Sequence, residues 1–479
     1  MRNKIWMKRF VAIIISIIIA TCIYFNVSNT AFASLLSCYV FILALIICDY
    51  KKNILAIAFL ICFFVFLMGR PFVREVFGHS EYSRITLSDE TRTCVYICLL
   101  LSLVSIACGY YIGRRINARK KKEAKQDDEK FVMAMKKVSK YATIFFYLLV
   151  VIENIFKCIH IGNVGYTASY AMEYDYRLPF GLHSLVMMAP VALAMFFATL
   201  PRKREMVLPV ALFVGANLLT AISGNRFGII SCLLALMVYF VWRGNIDGKS
   251  WISGKQILCV VAMAPIVIVA MQYMTYWRDG NEINSKIDPI VGFMNGVGGS
   301  SDLIGAVEQY GDHALNEDVI YSFGGVWRGL NGNMIAGLIG SGDSFVDGQT
   351  VSYAKNAHSL SSALTYYFYR DGYLSGYGLG GCYIAELYHD LSFFGVVVGN
   401  LLIGVIIGLI GELKKNRVFY NFLCFFFIIL LFRMPRDSFD YPITSLINLK
   451  NIFVFVVMYV IAKRICAKNK SVSGERMTR

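Results

Sequence analysis

Charge is scarce in this chain: 16% of its 479 residues are charged, against 57% hydrophobic. That balance is too apolar for soluble domains of this length. Thirteen cysteines are present, but no CxxC pair. None of the six histidines stands in an HExxH or a His/Cys cluster, so no motif supports a metal site. GxxxxGK[ST] is missing too, and with it any signature of ATP hydrolysis. No internal repeat of the inverted-repeat transporter kind is visible. The cysteines lie almost entirely inside apolar runs. Cys382 is the clear exception, and a lone thiol in a loop cannot form an intraloop disulfide, so packing must hold that loop.

What the chain does have is long apolar runs, recurring from Phe10 to Ala462. About 20 apolar residues cross the ~30 Å hydrocarbon layer as a helix that satisfies its own backbone. About twelve spans are expected, beginning near Phe10, Phe32, Ile54, Thr93, Tyr141, Leu182, Val207, Arg226, Gln256, Leu391, Val418 and Ile452. The fold class is therefore an all-α polytopic membrane protein.

Alternate connections carry the basic clusters: Arg2–Arg9, Lys51–Lys52, Arg114–Lys140, Arg202–Arg204, Arg243–Lys255, Lys414–Arg417 and Lys463–Arg479. The remaining connections are short or acidic, except the stretch from Trp277 to Asp390. Basic residues resist translocation and sit well beside anionic headgroups. Both termini are thus expected in the cytoplasm, and the long loop outside it. The net charge of +16 is a topology signal and not a nucleic-acid footprint. Three units follow: a nine-helix membrane region (1–276), a large extracytoplasmic loop (277–390), and a three-helix region with a cytoplasmic tail (391–479). Arg2–Arg9, the apolar run to Phe25 and Ala31-Phe32-Ala33 can also be read as a signal peptide with its cleavage site. The length of the run, and a second span following at once, favour a retained first span. The basic loop Arg114–Lys140, with Asp127-Asp128-Glu129, reads as a solvated linker.

Chemistry should lie in the outer elements. Arg226, in Ser223-Gly224-Asn225-Arg226-Phe227-Gly228, would open a helix after a tight turn, where side chain and N-terminal amides could meet an anion. A snorkelling border anchor is its alternative. Arg436, in Phe432-Arg433-Met434-Pro435-Arg436-Asp437, follows a proline that limits backbone freedom, with Asp437 beside it to orient the guanidinium. In the long loop stand Arg328 (Gly325-Val326-Trp327-Arg328-Gly329), His358 (Asn356-Ala357-His358-Ser359) and Arg370. Tyr366, Tyr367, Tyr369, Tyr373 and Tyr377 accompany them. Tyrosine faces and hydroxyls suit sugars, although an interfacial aromatic belt explains most tyrosines near a bilayer. Glu386, in Ala385-Glu386-Leu387-Tyr388, would sit at the membrane rim before a span with Gly395, Gly399, Gly404 and Gly408, a spacing that lets helices approach closely.

At these residues the chain resembles a known family. The Gly-rich stretch ending in Ala385-Glu386-Leu387-Tyr388, followed by Phe394-Gly395, is similar to the late signature of bacterial oligosaccharide repeat unit polymerases, the Wzy-type O-antigen and capsule polymerases. Ser223–Gly228 looks like their Gly-x-Arg turn, and Met434-Pro435-Arg436-Asp437 like their late outer loop. The first hundred residues contribute only hydropathy to the likeness. The resemblance implies polymerisation of undecaprenyl-pyrophosphate-linked oligosaccharides into surface polysaccharide on the outer face of the bacterial cytoplasmic membrane. It also implies work alongside a flippase and a chain-length regulator.

In that reaction the growing chain passes from its lipid pyrophosphate to the non-reducing-end hydroxyl of the incoming unit. Arg226 and Arg436 would bind the pyrophosphate, with Arg328 and Arg370 as further substrate contacts. His358 or Glu386 would be the base. The energy is already in the donor, so neither nucleotide nor metal is called for. An O-antigen ligase is the near alternative. A lipid-linked oligosaccharide flippase or other transporter is the distant one, and it predicts charges buried mid-span and short loops, the opposite of this pattern.

Overall fold

In lipid an isolated backbone amide has no partner, so the apolar runs close their own hydrogen bonds as helices. The computed structural model describes residues 2–78, 85–119, 126–165, 178–224, 227–278, 288–331 and 348–475. Helices α1 (Arg2–Asn26) and α2 (Thr30–Ile47) form the first pair, with Asn29 capping the Ala31 and Phe32 amides between them. Next, α3 (Tyr50–Phe63) passes through a π turn at Phe64–Met68 into α4 (Gly69–Phe77). Then come α5 (Asp89–Arg119), α6 (Glu129–Val164), α7 (Phe180–Val186), α8 (Ala189–Ala198), α9 (Lys203–Ile222), α10 (Phe227–Asp247) and α11 (Gly254–Arg278). Short helices follow: α12 (Pro289–Val297), α13 (Asp302–Ala314), α14 (Gly324–Asn331), α15 (Val351–Asn356), α16 (Leu360–Phe368) and α17 (Arg370–Leu374). The chain finishes with α18 (Tyr383–Leu409), α19 (Val418–Arg433), α20 (Tyr441–Ile447) and α21 (Leu449–Glu475).

Among the described residues there is no strand. Among the described residues ten helices are long and apolar enough to cross a membrane, or eleven if the bent pair α20–α21 is one span. The sequence leads one to expect about twelve. The run expected from Gln256 forms the 25-residue helix α11, with Pro265 inside it.

Helices α5 and α18 form the tightest pair. A Cβ at Gly109 or Gly113 would overlap the carbonyl of Leu401 or Val405, and one at Gly404 or Gly408 the carbonyl of Ile106 or Tyr110. Only hydrogen side chains let these backbones come so near, as the glycine spacing suggested. Polar contacts reinforce the seam: Asn400 Nδ2 donates to Ser102 Oγ at 3.0 Å, and Tyr383 Oη donates to Asn400 Oδ1 at 2.6 Å. A second seam is aromatic, with the Phe197, Tyr239 and Phe425 rings 4.5 to 5.5 Å apart.

The short helices after α11 are docked on the bundle. Arg70 of α4 donates to Asn295 O at 2.7 and 2.9 Å and pairs with Asp302. The basic loop before α6 is more than a solvated linker at its acidic end. Asp127 accepts the Val418 amide at 2.8 Å and so caps the start of α19.

Helix α18 is broken where the apolar span was expected to begin. Leu391 and Ser392 leave helical geometry, and Ser392 takes φ 52° and ψ −148°, a region that disfavours side chains. Replacing Ser392 with Gly should raise the protein's stability by about 1 kcal/mol, seen as a higher thermal unfolding midpoint in detergent. An unchanged midpoint would show that no strain is stored there.

Candidate active site

Five stretches distant in sequence converge near the break in α18. The first follows α19. After Arg433 the chain makes a single 3-10 turn, Met434–Arg436, with Pro435 inside it. Proline fixes φ there and leaves Arg436 on a stiff backbone. Arg433 is turned toward Asp437, with Nε 2.6 Å from Oδ2, and its guanidinium lies 4.9 Å above the Tyr441 ring.

The second stretch is the first turn of α18. Glu386 is only 6% exposed, and its Oε2 accepts the Phe439 amide at 2.8 Å. This bond ties the start of α18 to the segment after α19. Asp437, Asp440 and Arg328 make up the charged surroundings of Glu386. Just upstream, Gly380 has φ 84°, and a Cβ placed there would sit 3.3 Å from Arg436 Nε. The glycine loop therefore lies flat against that arginine.

The third stretch is α14, which presents Arg328. Its N-terminus is gripped by Asp440, wholly buried, whose Oδ2 accepts the Val326 amide at 2.7 Å while Oδ1 accepts Ser438 Oγ at 2.9 Å. Burial pushes the Asp440 carboxyl above its ordinary range, although these donors and the Arg328 charge favour the ionised form. A second carboxylate, Asp390, holds the turn ahead of α14 by accepting the Tyr321 and Ser322 amides at 3.0 and 2.8 Å.

From the other end of α14, Arg328 Nη1 donates to the carbonyls of Ala357 and His358 at 2.8 and 3.0 Å. Trp327 stacks on the His358 ring with centroids 3.8 Å apart and planes 8° from parallel. His358 itself adopts φ 46°, and its carbonyl lies where any Cβ at Gly324 would be.

These parts, with α16 and α17, enclose a cleft of about 310 Å³. Arg328, Arg433, Arg436, Glu386 and Asp437 supply its charges; serines, Thr365, Tyr373 and glycine backbone supply the rest. Three guanidiniums against two carboxylates leave the cleft suited to an anion. Asp437 is paired with Arg433, and Arg328 is bonded to the Ala357 and His358 carbonyls.

Of the residues singled out from sequence, Arg328, Arg436 and Glu386 share this cleft. His358 adjoins it, joined to Arg328 through its carbonyl. Arg370 lies over the Tyr366 ring at 5.6 Å and is not among the residues lining the cleft. Arg226 falls outside the described residues. Sequence reasoning missed Arg433 and Asp440. Arg433 was visible only as part of the motif around Arg436, and Asp440 carried no local signal, because the helix it caps, α14, is distant in sequence. Among the described residues no group of three His, Cys, Asp or Glu is placed to hold a metal ion.

A family model described as O-antigen polysaccharide polymerase Wzy matches residues 7–470. No curated protein and no solved structure matches the chain.

Proposed function

The chain belongs to the O-antigen polysaccharide polymerase Wzy family, and from that premise we propose that it joins undecaprenyl-pyrophosphate-linked oligosaccharide repeat units at the outer face of the bacterial cytoplasmic membrane. Membership supports a multi-pass membrane enzyme of polysaccharide polymerisation. The convergence of Arg328, Arg433 and Arg436 on one cleft with the buried Glu386 carries the finer reading. All four lie where α19 ends and α18 begins, and the pattern of basic connections supports an outward-facing position for that end of the bundle. A lipid diphosphate must lie at this depth.

The donor is the growing chain. Its anomeric carbon–oxygen bond to the diphosphate breaks, and the electron pair stays on the phosphate oxygen. Arg436 and Arg328 stabilise the charge that develops there, with guanidiniums already oriented by Pro435 and by the Ala357 and His358 carbonyls. Arg226 is assigned to the same lipid diphosphate, and Arg370 to the glycan beyond the cleft. The incoming unit's non-reducing-end hydroxyl forms the new bond to the anomeric carbon and gives up its proton. Glu386 lines the cleft and is assigned that proton; His358 is the second candidate. The released lipid diphosphate and a chain one unit longer are the products. Preceding delivery by a flippase and control by a chain-length regulator complete the scheme.

Deletion of the gene, followed by gel analysis of the surface glycan, tests the reading. The length ladder should collapse to a single repeat unit and return on complementation. Unchanged ladders would reject polymerisation, and loss of all surface glycan including the single unit would point to transport.

A further inference from the structure

The cleft has a side that the diphosphate chemistry does not use. Helices α16 and α17 line it with Ser359, Ser361, Ser362, Thr365 and Tyr373, a run of hydroxyls without charge. Most are committed within the protein. Thr365 Oγ1 donates to Ser361 O and accepts the Leu379 amide, and Ser359 Oγ donates to Ser362 Oγ at 3.0 Å. Tyr373 differs. It is 1% exposed, and its hydroxyl, directed toward Ser362, completes no hydrogen bond of acceptable geometry within the protein. Burial pushes the phenol up to about 12, so it remains a donor under all physiological conditions.

A buried hydroxyl left unpaired loses its hydration without return, typically about 1–3 kcal/mol. Such a group persists where something else completes it. The ring is held from behind by the Tyr366 edge, with centroids 5.9 Å apart, and the Tyr373 amide is bonded to Tyr369 O. The side chain is therefore fixed while its buried polar tip is left unpaired.

We propose that Ser362 and Tyr373 form the saccharide subsite of this cleft, binding a hydroxyl of the sugar attached to the diphosphate. The proposal rests on the polymerase reading and deepens it, dividing the cleft into a guanidinium half for the diphosphate and a neutral hydroxyl half for the sugar. A subsite of uncharged donors and acceptors takes a neutral or amide-bearing sugar in preference to an acidic one. The serine next to the tyrosine rotates freely about its C–O bond, so one sugar hydroxyl bonded to Ser362 can at the same time bring that serine into line with the phenol.

The experiment uses full-length protein in liposomes with the lipid-linked repeat unit extracted from a strain lacking the gene. Tyr373→Phe removes a hydroxyl that has no partner, so the thermal midpoint should stay level or rise. The apparent KM for the repeat unit should rise about 10-fold. Inhibition by inorganic pyrophosphate should be unchanged in Tyr373→Phe and weakened in Arg436→Ala. Ser362→Ala should raise KM in the same sense. An unchanged KM, or a lowered midpoint with proportionate loss of rate, makes the hydroxyl structural and overturns the subsite alone. If the wild-type protein does not turn over the repeat unit, the polymerase reading falls and takes the subsite with it.

Discussion

Replacing Arg436 with Ala should lower the rate of chain extension by about 10²–10³-fold, the usual loss when one preorganised donor to a developing oxyanion is removed. The effect should fall on turnover more than on protein level. Arg436 sits in a 3-10 turn just past the end of α19. Its guanidinium lies close to Gly380, where a Cβ would come within 3.3 Å of Nε. Lysine at this position keeps a charge but lacks the planar fork, and should recover only part of the rate. Arg433→Ala should cost less, because Arg433 is already paired with Asp437 at 2.6 Å and covers Tyr441. The measurement is release of lipid diphosphate in liposomes, with membrane insertion checked by immunoblot. Arg436→Ala working at half the wild-type rate or better would end the assignment.

How much of this could be read from the chain depends on the range of the interaction. Helices are local, so the apolar runs placed most of the bundle, and the glycines at 404 and 408 pointed to a close helix seam without naming α5 as its partner. Breaks inside helices were not legible. The π turn at Phe64–Met68 interrupts apolar sequence without a local signal, and the irregular pair Leu391–Ser392, where the span was expected to begin, lies inside a longer helix that starts at Tyr383. At the site, Arg328, Arg436 and Glu386 each stood out because charge is conspicuous at the border of an apolar run. Their convergence was not visible, since the contacts that bring it about are long-range: Asp440 to the amide of Val326, Glu386 to that of Phe439. Tyr373 was one of five tyrosines with the same local claim. Only packing distinguishes it from the neighbours that a membrane border would explain.

Glu386→Gln should depress turnover by about 10²–10⁴-fold, the range for loss of a positioned base. The substitution is nearly isosteric, and its amide oxygen can still accept the Phe439 N–H that joins α18 to the segment after α19. The fold should therefore survive, and the loss can be read as chemistry. His358 competes for the same role on residue type alone. Its geometry points elsewhere: the ring lies flat on Trp327, the carbonyl receives Arg328, and φ is 46°. Each of these contacts aims Arg328. A phenyl ring can keep the stack and the backbone can keep the carbonyl, so His358→Phe should lose about tenfold or less, within what a displaced positioning group costs. Initial rates of both variants, with thermal midpoints to confirm folding, separate the two assignments. A dead His358→Phe beside an active Glu386→Gln would exchange them, and the proton would then leave through the imidazole, with Arg328 set by the same residue that takes it.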